Sequence, residues 1–237
     1  MIVAAVFVPS APILIPQIAS GAAHELDDLR AVAIATIDRV VESAERVVIV
    51  GAGERTQRFD SGMGTFTGFG VPLSVTLDRS ATVDVSEPTV RLGLAASIGV
   101  WLLDQTRWAG ARTVIEISPD ESVENIAALV QEVAAAPDQT VLVVVADGSA
   151  ARTEKAPGYL HSDATAFDAI VEDALVSGSA QGLASLDRAL AEAVMAAGWP
   201  AWQFAAESMR DRHVEARCEY AEAPYGVGYF VASWVCV

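Results

Sequence analysis

Three short polar turns carry the side chains best placed to do chemistry. They are Pro9-Ser10-Ala11-Pro12, Gly51-Ala52-Gly53-Glu54 with Arg55 behind it, and Asp147-Gly148-Ser149-Ala150 with Arg152 behind it. Each follows an apolar run, and in open α/β sheets ligands bind at the carboxyl ends of such runs. Hydroxyls, carboxylates and guanidinium groups gathered there would bind a small molecule by charge and hydrogen bonds. Tyr159 and His161 lie in the long loop after the third turn and join the expected cleft.

Other site chemistries fit less well. Gly51-Ala52-Gly53 begins like a dinucleotide fingerprint, but Thr56 stands where its third glycine should be, and Gln57 to Gly70 is too glycine-rich for the helix it needs. No phosphate-loop or Gly-x-Ser-x-Gly pattern occurs. His24, His161 and His213 are the three histidines, and no two share a ligand spacing such as i, i+4. Each reads as a surface histidine. Cys218 and Cys236 are the only cysteines, too few for a disulfide framework and without a Cys-x-x-Cys pair for zinc.

The elements that must hold these turns alternate between apolar strands and amphipathic helices. Ile2 to Val8, Arg46 to Val50, Val114 to Ile117 and Thr140 to Ala146 read as strands buried on both faces. Residues 22–44 carry Leu26, Leu29, Ala33, Ile37 and Val40 at helical spacing. Ser118-Pro119-Asp120-Glu121 reads as a capping box, Ser162 as a helix cap with Gly178 as its stop, and Leu183 to Ala197 as a helix ending at Gly198. Residues 51–72 hold six glycines and no periodicity, so they read as a functional loop or lid. Gly226 to Val237 reads as an apolar strand on a bare sheet edge, with Trp234 exposed, which predicts a homodimer. The expected architecture is α/β: one domain over 1–237, with a mostly parallel central sheet flanked by helices on both faces.

Composition excludes several partners. The chain has 237 residues, 52% of them hydrophobic, and a mean hydropathy of +0.37, enough for a large core. The formal net charge of -16 repels nucleic acid and anionic membranes. Arg210, Arg212, His213 and Arg217 alternate with Asp211 and Glu215, so they form a solvated mixed-charge face. The opening run is broken by Pro9, Pro12 and Pro16 and has no basic flank, so it reads as neither a signal peptide nor a membrane span. The expected compartment is the cytoplasm.

Four stretches together resemble the subunit-B (LigB-like) family of class III extradiol dioxygenases, across most of the chain. They are Val8-Pro9-Ser10-Ala11-Pro12-Ile13-Leu14-Ile15-Pro16, Asp147-Gly148-Ser149-Ala150, Ala156-Pro157-Gly158-Tyr159 with Ala166-Phe167-Asp168, and Ala223-Pro224-Tyr225-Gly226-Val227-Gly228-Tyr229. The resemblance implies Fe(II) held by two histidines and a carboxylate, with open positions for a catecholate and O₂. The first ligand histidine falls on Ser10, the second near Gly53 or Glu54, and the acid–base histidine on Ala150. Glu207 is the candidate for the carboxylate. With those histidines replaced, no cofactor is expected. Three readings stay open: a metal-free relative that keeps a binding cleft, an enzyme using other groups such as His161 with Glu54 or Glu207, and a structural subunit.

Overall fold

The computed structural model describes residues 1–78 and 90–237. Its centre is a seven-stranded sheet in the order β3-β6-β2-β7-β1-β9-β8. The strands are β1 (Ile2–Val8), β2 (Arg46–Ala52), β3 (Gln57–Phe59), β6 (Ala111–Ile117), β7 (Thr140–Val145), β8 (Val214–Glu222) and β9 (Tyr229–Cys236). A small hairpin, β4 (Met63–Thr65) and β5 (Ser74–Thr76), stands apart. The inner four strands, β6, β2, β7 and β1, are parallel; at the flanks β3 pairs antiparallel with β6, β9 with β1, and β8 with β9.

Two apolar layers cover the sheet because successive side chains point to opposite faces. On one face Phe7, Val50, Leu142, Val144 and Trp234 pack against α4 (Val123–Ala134), α5 (Ala164–Ser177) and α8 (Trp199–Ser208). On the other, Val6, Val8, Ile49, Val143 and Val145 pack against α2 (Asp27–Val41) and α3 (Leu94–Asp104). Short helices α1 (Pro16–Ala19), α6 (Ala180–Ala184) and α7 (Arg188–Ala193) complete the layers. No helix among the described residues is long and apolar enough to cross a membrane.

The four predicted strand starts fall on β1, β2, β6 and β7, and the mostly parallel sheet flanked by helices is the architecture found. Several local expectations need correction. The cap of α4 is Ser122, whose hydroxyl accepts from the Asn125 N–H; Ser118 and Pro119 lie before the helix. Asp163 occupies the cap position of α5, not Ser162, while Gly178 ends it in the left-handed region as expected. The stretch 183–197 is broken between α6 and α7, and Gly198 begins α8 instead of ending a helix. Pro200 sits in the first turn of α8, where a missing N–H costs nothing. Residues 51–72 are not one structureless loop, since β3, β4 and a 3₁₀ turn at Thr67–Phe69 lie within them.

The edge assignment also changes. β9 is hydrogen-bonded to β1 on one side and β8 on the other, and Trp234 is 0% exposed with its indole N–H donated to the Leu175 carbonyl. The apolar edge that motivated a homodimer is therefore interior. The strand at this flank is β8, which points Glu215, Arg217 and Glu219 outward. A charged edge of this kind discourages strand pairing.

Candidate functional site

The site is set by where two neighbouring strands send the chain. Val8, Val145 and Gly51 lie abreast in β1, β7 and β2. Past that row β1 leads into the layer of Leu14, Ile15 and Leu26, whereas β7 leads into the opposite layer of Ala151, Ala164 and Phe167. The two chains part to opposite faces, which opens a crevice at the carboxyl edge between β1 and β7.

A cavity of about 600 Å³ fills that crevice. Asp147 forms its floor. One wall is the turn after β1 (Ala11, Pro12, Ile13), with Ile18 and Ala19 of α1 and Ala22 and Leu26 of the following 3₁₀ turn. The other wall is Ala150, Lys155 and Pro157 from the loop after β7, with Met195 and Ala197 from the α7–α8 turn. Tyr225, Val227 and Tyr229 close the side next to β9. Among the described residues four non-glycine residues have positive φ, Ser20, Tyr159, Met195 and Asp211, and of these Met195 lines the cavity.

Ser10 fixes the floor. Its backbone N–H donates to Asp147 Oδ1 and its hydroxyl to Asp147 Oδ2, both at 2.8 Å. Each carboxylate oxygen retains a lone pair for another donor. Burial pushes the Asp147 carboxyl up to about 6, against the two Ser10 hydrogen bonds that pull it down. Burial first, then the Asp147 charge, holds the Tyr229 phenol well above its ordinary value. The Tyr225 hydroxyl donates to Glu25 Oε2 at 2.8 Å.

A second serine–aspartate pair braces the neighbouring loop. Ser149 donates its N–H and its hydroxyl to Asp168 at 2.7 and 2.9 Å, and Arg152 reaches the same carboxylate at 3.5 Å. Burial raises the Asp168 carboxyl, opposed mainly by the two Ser149 bonds. Gly148 and Gly228 close around this carboxylate: a Cβ on either would lie 2.5 Å from one of its oxygens. The loop is further pinned by backbone bonds from Ala150 to Val194 and from Arg152 to Gly226. Ser149 is 0% exposed, so it and Arg152 position the loop and do not face the cavity.

The structure thus brings Ser10, Asp147 and Ala150 to one crevice and sends other expected cleft residues elsewhere. Gly53 turns toward β6, where a Cβ would lie 2.6 Å from Glu116 Cβ; Glu54 and Arg55 are exposed; none of the three lines the cavity. Tyr159 is 75% exposed, and His161 Nδ1 accepts from the Asp163 N–H. Glu207, at the far end of α8, pairs with Arg210. Gly51 and Gly53 are explained by close packing, since a Cβ on Gly51 would meet Ala95 Cβ at 2.7 Å. The far walls, Ile18, Ala22, Leu26 and Met195, were not foreseen.

These donors do not fit the iron that the family resemblance implies. Ser10 and Ala150 occupy the positions where the resemblance expects histidines, Asp147 is the carboxylate of the cavity lining, and no group of three His, Cys, Asp or Glu side chains able to hold a metal occurs among the described residues. His24 and His213 are exposed, and neither they nor His161 line the cavity.

No protein-family model matches the chain, and no curated protein matches it in sequence. In structure it is similar to an uncharacterized protein, JW3007, from Escherichia coli K12. The TM-score is 0.50 at 13% identity, over 98% of this chain and 99% of that one. The likeness speaks for the fold alone.

Proposed function

We propose that the chain is a metal-free relative of the LigB-like extradiol dioxygenases that binds a small organic molecule in the crevice between β1 and β7. The observation that carries this reading is the largely apolar cavity of about 600 Å³ with a pinned carboxyl, Asp147, at its floor. Ligand sites are concave and mostly apolar, with volumes of about 300–1000 Å³ and a few fixed polar groups. With a formal charge of -16, the partner class is a small molecule and not nucleic acid, and the cytoplasm is the proposed location.

A fragment screen by ligand-observed NMR tests this. Fragments should bind the native protein and be lost in Ala22→Trp, which places an indole in the cavity from a half-buried wall position. Absence of binding, or fragments indifferent to Ala22→Trp, would sink the reading.

One observation favours a second reading, an enzyme acting in the same crevice. A carboxyl pushed up to about 6 can both take and give a proton near neutral pH. In that case Asp147 is the acid–base group, and Ser10 holds it in place.

A further inference from the structure

We infer that the cavity selects an organic ammonium ion, a small amine with an apolar body whose charged head sits on Asp147. This rests on the small-molecule reading above and names the class of ligand.

The cavity lining carries one carboxylate, Asp147, held in place by Ser10, and one cation, Lys155, which is exposed. Asp147 forms no ion pair among the described residues. The β1 turn and α1 contribute no charged side chain to the lining. Arg152, the cation nearest in sequence to Asp147, is committed to Asp168. On α7, Arg188 is engaged by Glu192 and Asp120. Glu25 stands behind Tyr225 and adds negative charge on that side. Lys155 is the one lining cation, and it is exposed in a segment it shares with an outer depression beside Pro224 and Tyr225.

The carboxylate is also preorganised. Two hydrogen bonds from one residue fix its plane, so a ligand need not order it. An ammonium group supplies N–H donors to the remaining lone pairs, and a charge-assisted hydrogen bond is roughly twice as strong as a neutral one. Apolar walls of Pro12, Ile13, Ile18, Leu26 and Val227 surround it, and a charge pair attracts more strongly beside apolar groups than in open water. A carboxylate ligand of the same shape would meet the Asp147 charge directly.

A matched series decides the question: hexylamine, hexanol and hexanoate, titrated by calorimetry into the protein at pH 8. Hexylamine should bind roughly tenfold or more tighter than hexanol, the range expected for one hydrogen bond to a charged group, with hexanoate weakest. Asp147→Asn should bring hexylamine to the level of hexanol. Lowering the pH through about 6 should erode the amine preference of the native protein as Asp147 takes a proton. The native series is decisive even if the variant folds poorly. Hexanol binding as tightly as hexylamine would overturn the ammonium assignment while leaving the small-molecule pocket standing. No binding by any of the three, together with an empty fragment screen, would remove both.

Discussion

Ser10 gives both of its hydrogens to Asp147, one to each carboxylate oxygen, at the same distance of 2.8 Å. Ser149 does the same to Asp168 one layer away. The pairs differ in what lies beyond them. Asp168 is 2% exposed and wrapped by Gly148, Gly228 and Arg152, so its valences are spent inside the protein. Asp147 opens onto a cavity. The same local device serves as a brace in one place and as the floor of a pocket in the other.

The first prediction follows from the Asp147 carboxyl, whose ordinary value of 3.8 is raised to about 6 by burial. Above that value it is ionised in both folded and unfolded chains, and the folded state carries the full cost of burying the charge. Between about 6 and 3.8 the folded state binds the proton and the unfolded state does not, so this group makes the protein more stable as pH falls. Below 3.8 both states are protonated and the cost is gone. The span is about 3 kcal/mol at most. Asp168 and Glu219 are raised as well and act in the same direction. Urea denaturation of the native protein and Asp147→Asn from pH 4 to 8 isolates the term, because asparagine does not titrate. Parallel curves would show that Asp147 is not the source.

The second prediction concerns the brace. Asp168→Ala strands the Ser149 N–H and hydroxyl in the interior and leaves Arg152 without its partner. Leaving two buried donors unpaired costs about 3 kcal/mol, while Arg152, at 31% exposure, can turn to solvent. Ser149→Ala removes only the hydroxyl bond and should cost about 1 kcal/mol. Thermal melts of both variants should rank in that order. Equal losses would mean that the hydroxyl bond carries all that Asp168 contributes, and that its bonds to the Ser149 N–H and to Arg152 add nothing.

The fold was legible where apolar runs are continuous, and so were Asp147, which lines the pocket, and Ser10, which holds it. Thr140 to Val145 is buried at every position, as a short β-branched strand covered on both faces should be. The same logic applies to Tyr229 to Trp234, yet Trp234 read as an exposed aromatic on an edge because a terminal strand suggests one; β8 pairing outside it is a tertiary fact. α3 and α8 went unread because they are apolar on nearly every side, from Ala95 to Leu103 and from Trp199 to Ala206, and so lack the polar stripe that marks a helix. Ser10 and Asp147 were named from strand ends, but their mutual contact depends on β1 and β7 being neighbours, although about 130 residues lie between them in the chain. Gly53 follows a strand in the same way and turns toward Glu116 instead, which nothing local to it reveals.

The third prediction tests how closely α3 lies on the sheet. A Cβ on Gly99 would stand 2.5 Å from Ile49 Cγ2 and 2.8 Å from Val145 Cγ2, both buried and rigid at χ1. Alanine should help the helix by about 1 kcal/mol through propensity. Forcing α3 off β2 and β7 costs about 1–3 kcal/mol, so Gly99→Ala should be destabilising on balance. An exposed control, Gly68→Ala, meets nothing within 4 Å and should leave the chemical-denaturation midpoint almost unchanged. A Gly99→Ala protein as stable as the native one would show that the helix can lift without loss.

The last prediction concerns ring cleavage. Protocatechuate and simple catechols should give no ring-opened product, even after anaerobic loading with Fe(II). Extradiol chemistry uses a facial set of two histidines and one carboxylate, so that metal, catecholate and O₂ meet in one place. At the floor of this crevice stand Ser10 and Asp147, whose hydrogen bonds are made to each other, with Ala150 on the wall above. A neutral serine hydroxyl is a weak ligand for iron, and here it donates its hydrogen bond to Asp147 Oδ2. Alanine at 150 cannot move a proton, a role typically worth about 100- to 10,000-fold in rate. His161 is turned to Asp163, while Glu54 and Glu207 lie outside the cavity lining, so the residues that could have rebuilt a site do not converge on it. Placing histidine at positions 10 and 150 together is the informative companion, since it puts that side chain at the two positions where the proposed LigB-like relationship expects it. The assay is absorbance of the yellow ring-opened product under air. Product from the unmodified protein, lost on adding a chelator and regained with Fe(II), would show that the crevice assembles a metal site by a route its resting geometry does not display.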